Sequence, residues 1–125
     1  MKTLGLIFFF SFTLAQMVYA SSGSVIQACS NAGFAESIQI ADCIHSGASV
    51  EVIDACGQSN FHSTLSIMPC IRTGATPSTI QVCANVEFAN DFQTVKCDEK
   101  KATVDAINAC IQAGFDTDES LLSCL

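Results

Sequence analysis

Basic side chains are scarce: the 125-residue chain holds five Lys and Arg against twelve Asp and Glu, a formal charge of −7. Nucleic acids and anionic membranes both require a basic footprint, so neither is expected as a partner, and a cationic lytic peptide is excluded with them. No Cys-x-x-Cys pair occurs, and His45 and His62 stand apart from any ligand cluster, so neither a metal nor a cofactor is expected. His45 and His62 each fall just after a helix end or at a turn and every cysteine occupies a repeat position, so no nucleophile–base arrangement stands out, and no glycine-rich loop opens a helix to cradle phosphate. The expectation is a protein that is not an enzyme. No Asn-x-Ser/Thr acceptor is present, and neither linkers nor low-complexity segments interrupt the chain.

The first twenty residues read as a secretory signal peptide. Lys2 supplies the positive start, Leu4–Leu14 is apolar, and Val18, Tyr19 and Ala20 form a small-residue cleavage site. Ser11, Thr13 and Gln16 interrupt the apolar run, which is too short for a bilayer span. Removing it leaves residues 21–125 as a single cysteine-rich domain with no expected membrane span. Only Arg72, Lys96, Lys100 and Lys101 then remain basic, for a formal charge of −8.

What the chain has in abundance is cysteine. Cys29, Cys43, Cys56, Cys70, Cys83, Cys97, Cys110 and Cys124 are spaced alternately by 14 and 13 residues, which defines a 27-residue repeat of two similar halves. An even count in a small secreted chain predicts a disulfide framework. Pairing neighbours (Cys29–Cys43, Cys56–Cys70, Cys83–Cys97, Cys110–Cys124) closes one bridge per repeat. The rival scheme joins alternate helices (Cys29–Cys56, Cys43–Cys70, Cys83–Cys110, Cys97–Cys124), and spacing alone does not decide between them.

The residues around each cysteine predict a helix. Seven positions before them stand Ser22, Glu36, Ser49, Ser63, Thr76, Asn90, Thr103 and Thr117, all but Glu36 good N-caps. Four positions after come Gly33, Gly47, Asn60, Gly74, Glu87, Lys101 and Gly114, five of which readily take the left-handed conformation that ends a helix. Ile26, Ile40, Ile53, Ile67, Ile80, Thr94, Ile107 and Leu121 lie three before, on the cysteine's face. Each unit is therefore expected to be one helix of about ten residues, too short to persist alone. Pro69 falls inside its helix and should bend or shorten it.

The apolar residue beside the cysteine changes sides in alternate helices, as two members of a hairpin facing a shared core require. The fold expected is all-α: a disulfide-stapled array of eight short helices in four hairpins, either a short α-solenoid or a compact bundle.

Function is less sharply written. The first reading is a secreted, non-enzymatic binding protein that presents a rigid repeat surface to an extracellular protein partner. Its candidate contact residues are Lys96, Lys100 and Lys101, in the stretch 94–101 where the repeat loses both its isoleucine and its glycine. The alternative is an extracellular carrier of small apolar ligands, with Phe34, Phe61, Phe88, Phe92 and Phe115 as candidate cavity lining.

Overall fold

The computed structural model describes residues 23–125. The leader and the Ser22 cap lie outside the described residues. Among those described there are eight α-helices and no strand: α1 (residues 23–31), α2 (Ser37–Ile44), α3 (Val50–Gly57), α4 (Ile67–Arg72), α5 (Pro77–Asn85), α6 (Asp91–Glu99), α7 (Val104–Gln112) and α8 (Asp118–Cys124). A 3-10 turn, Thr64–Ser66, leads into α4.

Capping explains why helices this short begin and end where they do. The side chains of Ser49, Thr76, Asn90, Thr103 and Thr117 each accept a backbone N–H three residues on, satisfying a donor that has no partner inside its helix. Glu36 works differently: the Gln39 amide oxygen reaches back to accept from the N–H groups of Ala35 and Glu36, both at 3.2 Å. At the other end, all seven residues four places after a cysteine have positive φ, including Glu87 at 59° and Lys101 at 50°. The turn is thus kept even where its glycine is gone, at a cost of about 1 kcal/mol for each non-glycine.

Helix lengths run shorter than the ten residues expected. The difference is greatest at α4, where the Ser63–Ser66 turn tightens to 3-10 and the α-helix starts only at Ile67. Pro69 then falls in the first turn of a six-residue helix, where its missing N–H leaves no bond unmade.

Neighbouring cysteines pair, in the scheme Cys29–Cys43, Cys56–Cys70, Cys83–Cys97 and Cys110–Cys124, with Cα atoms 5.8–6.1 Å apart. Each bridge staples one hairpin. The hairpins stack side by side: α3 packs on α5 and α5 on α7 in one layer, while α2, α4, α6 and α8 follow one another in the other. Such a stack is a short solenoid, compact because it has only four units. Gly57 in α3 shows how close successive hairpins come, since a Cβ there would lie 3.0 Å from Ala32 Cα of the preceding hairpin.

The interior is two clusters rather than one. The larger runs from Ala28 to Ile80 and holds Ile53, Ile67, Met68 and Ile71 around two disulfides. The smaller gathers Phe88, Ile107 and Leu121 around the other two. Two small clusters bury less apolar surface than one shared core would, and the bridges add to what apolar burial supplies.

Candidate functional site

The repeat places side chains at equivalent heights, so a site is best sought where equivalent positions depart from ordinary burial. Ile38, Leu65 and Phe92 are 27 residues apart, each the second residue of the first turn in its even-numbered unit. They are 66%, 70% and 71% exposed, the three most exposed large apolar side chains among the described residues. Even helices pack side by side at roughly 10 Å, so the three form a ridge along one layer. The fourth position of the series is Glu119, where the ridge turns acidic.

At Phe92 the ridge meets basic charge. Lys96, one turn on, holds its Nζ 5.6 Å from the centre of the Phe92 ring and 3.8 Å from Glu99. Phe92 and Lys96 from α6 and Lys100 at its C-terminal cap line an open groove of about 400 Å³ with Glu119, Leu122 and Ser123 of α8. A cation over an aromatic face beside an aliphatic wall suits an anionic group attached to an apolar one.

Of the three lysines expected to act together, two share this groove. Lys101 turns away: its Nζ lies 3.4 Å from where a Cβ on Gly74 would stand, beside the loop of the preceding hairpin. The five phenylalanines are also dispersed. Phe88 is buried, Phe34 and Phe61 are half-buried against the larger core, and Phe92 and Phe115 are exposed. Phe61 and Phe88 line a cleft of about 600 Å³ with His62, Glu87 and Asp91, and Phe92 lines the separate groove at Lys96.

Three acids, Asp91, Asp118 and Asp98, occupy places in the structure that the reading of the sequence did not single out. Asp91, the first residue of α6, grips the preceding hairpin. It accepts from the N–H of His62 (2.9 Å), the N–H of Ser63 (2.9 Å) and the hydroxyl of Ser66 (2.9 Å), with the His62 imidazole at 2.9 Å. Burial would raise its pKa, but these four bonds outweigh burial and hold the carboxyl down at about 2. Serine, histidine and aspartate meet here without forming a catalytic relay, because Ser66 bonds the carboxylate and not the imidazole. Asp118, one repeat later and again first in its helix, accepts from the N–H of Ala89 at 3.0 Å. The 27-residue recurrence of Asp91 and Asp118 is the sequence signal for this clasp.

Asp98 in α6 is the second surprise. It is 0% exposed, and neither carboxyl oxygen has a hydrogen-bond partner among the described residues. Burial, with some help from the adjacent Glu99 charge, pushes its pKa up to about 7. Its place in the repeat is that of Ile44, Ile71 and Leu125.

Among the described residues no group of His, Cys, Asp and Glu is arranged to hold a metal ion, and no helix is long and apolar enough to cross a membrane. The four disulfides are typical of extracellular proteins. No protein-family model, no curated protein and no solved structure matches this chain.

Proposed function

We propose that this is a secreted, non-enzymatic binding protein whose even-helix layer docks a segment of another extracellular protein. The observation that carries the reading is the Ile38–Leu65–Phe92 ridge ending at Lys96 and Lys100. Three large apolar side chains at equivalent exposed positions keep water-facing surface that folding alone would not retain. The lysines at one end favour a partner segment whose apolar side chains are followed by an acid, and Glu119 beyond them disfavours a longer acidic run. Staples and short turns hold the ridge in place before binding, which lowers the entropic cost of docking.

The test compares proteins captured from extracellular fluid by the oxidised wild-type chain with those captured by a variant carrying Ile38→Ser, Leu65→Ser and Phe92→Ser. These positions are exposed, so the variant is expected to keep its helical circular dichroism while losing its specific partner. Identical captured sets from the two baits would overturn the proposal. The carrier reading draws less support, because the phenylalanines do not converge on one enclosed space. It would regain ground if a fluorescent fatty acid bound the wild type and the triple-serine variant equally well.

A further inference from the structure

We infer that the chain associates head to tail with further copies of itself, the α1–α2 end of one copy seating on the α7–α8 end of the next. The inference is independent of the ridge and rests on what the repeat does inside the molecule. Ile53, Ile80 and Ile107, three residues before the odd-helix cysteines, are each 0% exposed, and each has a hairpin preceding it. Ile26 is the same residue in the same register with no described hairpin before it, and it is 47% exposed. Its even-helix counterpart follows suit: Ile67 and Leu121 are buried, whereas Ile40 is only partly so.

The opposite end shows the complementary pattern. Ala28 and Ala55, just before the odd-helix cysteines, are buried beneath the hairpin that follows, and so are Ala32 and Ser59 three residues after them. Their equivalents on α7, Ala109 and Ala113, are exposed. Phe115 is 39% exposed where Phe88 is 6% exposed. The contact between Gly57 and Ala32 shows that this face of one hairpin directly meets the next.

The two ends are therefore the two halves of a joint that the molecule already makes between its own hairpins: protruding isoleucines on one side, small alanines and a phenylalanine on the other. Solenoids that stay monomeric ordinarily replace these residues with polar caps at their ends, and here the apolar residues are kept. The occupant that fits the α7 end is the α1 end of a second copy, because its residues repeat those of α3, α5 and α7. Unlike surfaces meet in such a joint, so nothing limits it to two copies.

The joint between copies is weaker than the internal ones for two reasons. Ser37 occupies the position of Asp91 and Asp118, so the acidic clasp that ties the third and fourth hairpins to their predecessors is lacking, as it is at Thr64 between the first two hairpins. Asp105 and Asp116 flank the receiving end in a chain already strongly negative, so added salt should favour association.

Sedimentation velocity on the full chain, purified with its four disulfides formed, tests this from about 10 µM to about 1 mM, the range of weak interfaces. The wild-type average mass is expected to at least double over the series. Ile26→Glu spoils one end and Ala109→Glu the other; both sites are exposed in the monomer, so both variants should fold. Each alone is expected to remain monomeric, whereas an equimolar mixture should reach the mass of a dimer and stop there, through the one intact pair of ends. A wild type that stays monomeric throughout overturns the inference. So does an Ile26→Glu variant that associates as strongly as wild type, since that would mean like ends pair.

Discussion

The second and third hairpins share one backbone and differ in what fills it. In the second, Val52 and Ile71 face the same small cleft, and Ile71 is buried. One repeat later the corresponding residues are Thr79 and Asp98, both buried. Thr79 satisfies itself by donating to the carbonyl of Ala102 at 2.7 Å, whereas Asp98 has no partner among the described residues. The isoleucine three before the cysteine becomes Thr94, and the helix-ending glycine becomes Lys101, yet α6 is a full nine-residue helix with its Asn90 cap and its bridge in place. Caps, the left-handed stop and the disulfide thus suffice to hold a hairpin whose apolar content has been diluted, and α6 receives a further hold from the Asp91 clasp. The repeat specifies where the chain goes more strictly than it specifies what each face must be made of.

The sharpest way to break the contrast is to restore the aliphatic residue. Asp98→Leu is expected to stabilise the protein by roughly 3–4 kcal/mol at pH 8, since the wild type must there either bury a charge or take up a proton. The gain should shrink to under about 1 kcal/mol near pH 3, where the carboxyl is largely protonated in both folded and unfolded chains. The sign follows from linkage: the folded pKa of about 7 lies above the ordinary value of 3.8, so stability is greatest at low pH and falls as pH rises from about 4 through 7. Asp98→Asn should flatten that slope without adding apolar surface. Urea midpoints across this pH range check both variants, and a wild-type midpoint independent of pH would contradict the buried acid.

Next in size is the staple. Cys56–Cys70 and Cys83–Cys97 close loops of the same sequence separation, 14 residues, so chain entropy assigns each about 3 kcal/mol. Replacing each pair by alanine should therefore expose what the surrounding core contributes. The Cys83→Ala, Cys97→Ala protein is expected to be the less stable of the two by a further 1 kcal/mol or so, because its smaller cluster has fewer apolar neighbours to retain the hairpin. Equal urea midpoints would show that the polar third hairpin is no weaker than the second.

The alternation of 14 and 13, the capping residues and the glycines made the helices, their pairing into hairpins and the all-α class legible, because each of those signals acts within one turn of chain. Neighbour pairing was legible only as one of two schemes, since its geometry depends on how steeply helices cross. The candidate site was half legible. Lys96 and Lys100 could be picked out because the repeat lapses around them, and Phe92 only as candidate cavity lining, but their meeting in one groove, and the turning away of Lys101, depend on side-chain directions across two helices. Nothing in the local sequence singles out Ile38 and Leu65. Only the phase of stacking leaves them outside, and no single helix encodes that phase. Asp98 sits in a helix that reads as polar overall, so nothing local distinguishes the acid that is buried from those that are not.

The smallest effects concern the clasp, and they separate a strong from a weak copy of one device. Asp91→Ala removes the acceptor for two backbone N–H groups and a hydroxyl of the preceding hairpin, and should cost about 2 kcal/mol at pH 7. Because the folded pKa of Asp91 is lowered from 3.8 to about 2, the clasp stabilises above about pH 4, and that contribution fades as pH falls through 2. The wild type and Asp91→Ala should therefore converge in stability under strong acid. Asp118→Ala removes one acceptor from one exposed N–H, that of Ala89, and should cost only about 0.5–1 kcal/mol. Amide hydrogen exchange gives the more specific reading: His62 and Ser63 should lose protection in Asp91→Ala, and Ala89 alone in Asp118→Ala. If the two variants were equally destabilised, the number of bonds would not be what grades the clasp. The α6–α4 contact would then owe its strength to the apolar side chains around it, and the third hairpin would be held by its core after all.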